Sequence, residues 1–69
     1  MSTILVNGST TEIDEGATVS DLLGRLDVPA EARGVAVAVD AEVVPRGAWA
    51  TTPLPEGAQV EVLTAIQGG

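Results

Sequence analysis

With 69 residues, a formal charge of −7 and 45% hydrophobic residues, the chain is one domain near the lower size limit for a self-sufficient core. That hydrophobic content excludes a disordered acidic chain. The absence of Cys excludes disulfides and thiolate metal sites, and no apolar run reaches the roughly 18 residues that a membrane-spanning helix needs.

Thr3-Ile4-Leu5-Val6 reads as a short strand. Asn7-Gly8 follows as a two-residue hairpin turn, in which both residues take positive φ, and Ser9–Ile13 is the returning strand. Asp14-Glu15-Gly16 breaks it. Thr18 begins a helix: its hydroxyl can accept from a free backbone N–H, and Asp21 three places on suits both a capping box and the positive end of the helix dipole. Val19, Leu22, Leu23 and Leu26 recur at i, i+3, i+4 and i+7 and form one apolar stripe. Pro29 pushes Val28 out of helical geometry, so the helix closes by about Asp27.

From Gly34 the chain alternates large and small, with Val35, Val37 and Val39 on one face of a strand and Ala36 and Ala38 on the other. Asp40-Ala41 is a tight turn into Glu42-Val43-Val44, which Pro45 ends. Trp49, the only aromatic residue, is expected to cap one end of the core, and Arg46 to make a surface ion pair. After the turn Pro55-Glu56-Gly57, the strand Gln59–Ala65 places Val60, Val62 and Thr64 on one face and Glu61, Leu63 and Ala65 on the other. The order predicts an α+β domain, a mixed sheet of four to five strands with one main helix packed on one face. The helix is expected to pack on Ile4, Val6, Val35, Val37, Val60 and Val62. Leu5 and Leu63 then point outward beside Ala36 and Ala38; with Ala65 they make the expected partner-docking face, Leu63 near its centre.

The missing residue types bear on function. There is no His, Cys, Lys or Tyr, and the only cations are Arg25, Arg33 and Arg46. Nucleophiles, general bases and oxyanion clamps come mostly from that set, so the protein is not expected to be an enzyme by itself, nor to hold a metal. The ten carboxylates fall mostly in turns or at alternating strand positions, as solvated surface does. An acidic chain without a basic cluster is expected to bind neither nucleic acid nor membrane, and to meet a partner with a basic docking surface. The first residues do not read as a signal peptide, and the cytoplasm is the expected location. The last strand leads into Ala65-Ile66-Gln67-Gly68-Gly69. Two residues without a side chain let a carboxylate enter a narrow channel, which makes Gly69 the expected reactive group and the stretch 66–69 an expected unpaired, mobile tail.

The strand–hairpin–helix beginning, the run Ala38-Val39-Asp40, then Val43-Val44-Pro45-Arg46 with Trp49, Leu54, Glu56-Gly57, Val60-Glu61-Val62 and the Ala65–Gly69 ending resemble the sulfur carrier proteins of thiamine biosynthesis. That family has the ubiquitin-like β-grasp fold, and the resemblance spans 1–69 as a single carrier domain. Asp40 stands where Asn is common, and Ala58 where Asp usually follows the glycine. The resemblance implies that an ATP-dependent activating enzyme of the E1-like, adenylating type modifies the Gly69 carboxylate, with Ile66, Gln67 and Gly68 in its channel. Sulfur from a persulfide donor such as a cysteine desulfurase then displaces AMP, and the resulting thiocarboxylate supplies a thiazole synthase. It further implies a carrier that is monomeric when free and binds no cofactor of its own, ATP being used by the activating enzyme. A molybdopterin-synthase small subunit shares the fold and the two glycines, but typically has more aromatics and a proline-rich approach to them. A ubiquitin-like protein modifier, with Gly69 in an isopeptide bond, is disfavoured by the Trp49 segment. A plain interaction domain with an incidental tail is the remaining reading.

Overall fold

The computed structural model describes residues 1–29 and 33–64. Within them two left-handed dipeptides set the strand pairing. Asn7 and Gly8 lie at φ 51° and 86°, which joins β1 (Ser2–Val6) to β2 (Ser9–Ile13) with Val6 opposite Ser9. Asp40 and Ala41, at φ 49° and 71°, join β3 (Val35–Val39) to β4 (Glu42–Val44) with Val39 opposite Glu42. Such turns match the right-handed twist of the strands they connect. The second carries a methyl group where glycine is the usual residue, and left-handed backbone costs an L-residue about 1–2 kcal/mol. Ala41→Gly is therefore expected to stabilise the domain by about 0.5–1 kcal/mol after glycine's own entropy loss, measured as a raised urea midpoint with unchanged slope.

Helix α1 spans Val19–Arg25. The expected capping box is present: Asp21 N donates to Thr18 Oγ1 at 3.3 Å, and Thr18 N donates to Asp21 Oδ2 at 2.9 Å. At the other end Asp27 takes φ 61°, and Val28 N and Asp27 N donate back to the carbonyls of Leu23 and Gly24 at 2.9 and 3.2 Å. This is a Schellman closure with Asp in the position that glycine usually fills. It corrects the apolar stripe. Leu26 is the C-cap and is 41% exposed, while Val28, brought back by the reversal, packs against the core instead.

The last strand in sequence, β5 (Gln59–Thr64), lies in the middle of the sheet, whose order is β2-β1-β5-β3-β4. It runs parallel to β1, with Val6 beside Val60, and antiparallel to β3, from Val39↔Val60 to Val35↔Thr64. One α-helix on a five-stranded mixed sheet is the α+β architecture expected from the element order, and it is the ubiquitin-like β-grasp arrangement that the resemblance implied. Val19, Leu22 and Leu23 of α1 are buried in one core with Ile4, Val6, Val37, Val60 and Val62. Val35, at the strand's start, is half-buried against that core. Ile13, Ala17, Leu54 and Ala58 also belong to the core without having been assigned to it from the sequence. Ala58 fills a buried place with a methyl group. Asp40 is tied to β5: its amide donates to Gln59 O at 2.7 Å, and its carboxylate accepts from Gln59 N at 3.0 Å.

Between β4 and β5 the chain forms a 3-10 helix over Arg46–Thr51, a stretch in which the sequence had predicted no element. It carries Trp49 into the core, where the indole N–H donates to Val44 O at 3.0 Å. Trp49 thus caps the core, as expected. The Arg46 guanidinium lies over the indole face, 4.5 Å from its centroid, a cation–π contact that covers the outer side of the ring. The segment is stitched to the start of α1 by Val19 N to Thr52 O at 3.0 Å and Leu54 N to Ala17 O at 2.9 Å. No helix among the described residues is long and apolar enough to cross a membrane.

Candidate functional site: the outer sheet face

Because α1 and the 3-10 helix cover one face of the sheet, the strand residues of opposite parity face away from the core. On β3, β4 and β5 these are Ala36, Ala38, Val43, Gln59, Glu61 and Leu63. The register sets Ala36 opposite Leu63, Ala38 opposite Glu61, and Ala38 opposite Val43. Two alanines thus floor a shallow depression lined by Val43, Leu63, Ala41 and Glu61. Leu63 is 66% exposed and Val43 76%; with Met1 they are the most exposed large apolar residues among the described residues. None of the five strands contains a basic residue, so this surface is apolar with carboxylates beside it.

The sequence-derived site residues fall in three groups. Leu63 sits on this face, directly opposite Ala36 as its parity required. Leu5 shares the face but does not join Leu63. It is half-buried and pairs with Gln59, four residues before Leu63 on β5, a separation of about 13 Å at strand rise. Ala65, Ile66, Gln67, Gly68 and Gly69 lie outside the described residues, and so does the expected mobility of the tail. Val43 was missed. The signal for it was present: a two-residue turn at Asp40-Ala41 sets Val43 opposite Ala38 and hence on Ala38's face.

Among the described residues no group of three or more Asp, Glu, His or Cys side chains is placed to hold a metal ion. Of the three arginines, Arg25 donates to Glu12 O at 2.8 Å, and Arg46 lies over Trp49 on the helical side. What the arrangement can do is present an apolar patch, at the exit of the central strand, to a surface that accepts it.

Comparison with known proteins gives the arrangement its context. The model of the ThiS family matches residues 4–69. The sulfur carrier protein ThiS of Escherichia coli is 35% identical over 66 residues, which cover 96% of this chain and 97% of that protein. A thiazole synthase of Paramagnetospirillum magneticum is 33% identical over 66 residues, but this chain spans only 20% of its length. Among solved structures, the crystal structure of the thiamine biosynthesis protein ThiS from Geobacter metallireducens is 36% identical, with a TM-score of 0.77 and coverage of 97% of this chain and 99% of that one. A solution structure of a thiamine biosynthesis protein from the same organism has the same TM-score at 35% identity, covering 97% of this chain and 87% of that one. With its β-grasp sheet and a family match running almost from end to end, this chain belongs to the ThiS family, the small sulfur carriers of thiamine biosynthesis.

Proposed function

We propose that the chain carries sulfur as a thiocarboxylate on Gly69, and that the outer sheet face docks the enzyme that activates it. A Gly69 carboxylate oxygen attacks the α-phosphorus of ATP in an E1-like activating enzyme, and pyrophosphate leaves. A persulfide from a sulfur donor such as a cysteine desulfurase displaces AMP, and a second thiol cleaves the resulting S–S bond to leave the thiocarboxylate. A thiazole synthase then takes the sulfur. A carboxylate is a poor acyl donor and AMP a good leaving group, which is why ATP is consumed by the partner and the carrier needs no cofactor of its own. A chain without Lys or Cys also offers its activated end no side-chain amine or thiol to attack. The occurrence of a matching stretch within a thiazole synthase supports a carrier and synthase that work in contact. The cytoplasm, where ATP is plentiful, is the proposed location.

The observation that carries this reading is the course of β5, which places exposed Leu63 six residues before Gly69 in the sequence. A partner gripping Leu63 has the following residues within reach of its nucleotide site. Ile66, Gln67 and Gly68 would line its channel. Leu5 and Ala65 are proposed at the margin of the contact, and Val43 beside Leu63. The test is intact mass after incubation with the activating enzyme, ATP and a sulfur source. The wild type should exchange one oxygen for sulfur on its last residue, and an unchanged mass removes the proposal. Leu63→Glu should lower kcat/KM for activation at least about thirtyfold, as removal of an interface hot spot does, while shifting unfolding by less than about 0.5 kcal/mol.

A further inference from the structure

Strand β1 runs out of backbone before β5 does. Its amides bond β5 as far as Asn7 N, which donates to Val60 O at 2.9 Å, and the chain then turns away into β2 at Asn7. The Asn7 side chain continues the ladder. Its Oδ1 accepts from Val62 N at 2.9 Å, and its Nδ2 donates to Val62 O at 3.1 Å. A carboxamide presents an acceptor and a donor side by side, as a peptide group does, so one side chain stands in for the two backbone groups β1 no longer supplies. The turn does not require this. Asp and Gly also tolerate left-handed backbone, yet Asp has no donor for Val62 O and Gly has no side chain.

We propose that Asn7 is a positioning residue for transfer at the chain's end: its clasp on Val62 fixes the point at which β5 hands over to residues 65–69. This rests on the carrier reading above. Beyond Val62, β5 is paired to β3 through Ala36↔Leu63 and Val35↔Thr64, while on the other side β1 has already left. A strand end held along one edge opens more easily than one held along two. Each residue that opens adds about 3.5 Å of slack between the docked face and the carboxylate. Misplacement of about 1 Å is enough to cost up to about a hundredfold in rate. The clasp grips the residue immediately before Leu63, so it keeps docking residue and tail in a constant relation.

Two variants test this, both made in the Ala41→Gly background to offset lost stability. Asn7→Asp keeps size and turn preference but faces Val62 O with an acceptor; Asn7→Gly keeps the turn and removes the clasp. Without any partner, amide exchange at Val62 should accelerate at least about tenfold relative to Ile4 and Val37, and the backbone order parameter of Thr64 should fall below about 0.6. With the activating enzyme, the single-turnover adenylation rate at saturating carrier should fall about tenfold. The carrier concentration giving half-saturation should change less than about twofold, because β3 and β4 still hold Leu63 and Val43. Faster exchange with an unchanged saturating rate makes the clasp merely structural and overturns the proposal. Unchanged exchange, or two variants that do not fold, overturns it as well. A wild type that is never adenylated removes the carrier reading and the positioning role with it, whereas an adenylated wild type with unaffected variants removes the positioning role alone.

Discussion

Leu22→Asp is expected to leave the chain unfolded at room temperature, seen as loss of the far-ultraviolet helix signal and of a cooperative urea transition. Leu22 is fully buried between the sheet and the rest of α1, among Ile4, Val37 and Val60 in the same core. The substitution loses about 1.5–3 kcal/mol of apolar burial, and the new carboxylate has to be kept neutral or drawn into water at a further cost of several kcal/mol. Domains of this size hold together by roughly 0.05–0.15 kcal/mol per residue, a total that such a loss consumes. Leu26→Asp is the control. One helical turn further on, but 41% exposed and outside α1, it should cost under about 1 kcal/mol. Equal effects at the two positions would mean that the helix is packed in another register.

One residue added after Gly69 is expected to abolish thiocarboxylation without touching the fold. The addition moves the carboxylate by about 3.3–3.6 Å, more than an in-line attack on a phosphorus atom tolerates. Gly68→Val should act by a different route, placing a branched side chain in the proposed channel. Among the described residues the buried apolar core runs from Ile4 to Val62, and both variants are expected to unfold at the wild-type urea concentration. Intact mass after incubation with activating enzyme, ATP and a sulfur source reads the outcome. Sulfur incorporation at the wild-type rate in either variant would show that the last residues are not the reacting end.

What was legible in the sequence was local, and what was not depended on pieces far apart. Asn7-Gly8 could be read as a turn because few residue pairs tolerate two left-handed conformations in succession. Thr18 and Asp21 marked a helix start by their spacing. Leu26 misled because apolar period carries no information about where a helix stops; the reversal at Asp27 decided that, in the position glycine usually fills. The 3-10 helix around Trp49 left no periodic trace, since its apolar contribution is a single large side chain. The candidate site divides in the same way. Gly68-Gly69 stands out by composition and Leu63 by strand parity. The grouping of Leu63 with Val43 instead of Leu5 follows from pairing β5 with β3 and β3 with β4. The second function of Asn7, as a substitute for backbone, required knowing that β1 lies beside β5.

The central place of β5 also governs when the domain can form. Until residue 64 is available, β2-β1 and β3-β4 are two separate hairpins with nothing between them. Each then shows a bare edge, and neither alone is more than marginally stable. The contacts that join them link residues near the two extremes of the described chain, Leu5 with Gln59 and Val6 with Val60. Closure of so long a loop comes late in folding and is slow. On a ribosome the nascent protein therefore has no partial fold to settle into, and it is completed only after its final strand has cleared the exit tunnel. Fragments that stop before β5 offer two open edges and an uncovered apolar face, the state that quality-control proteases and chaperones recognise. Folding and possession of the segment that leads to Gly69 thus become a single event.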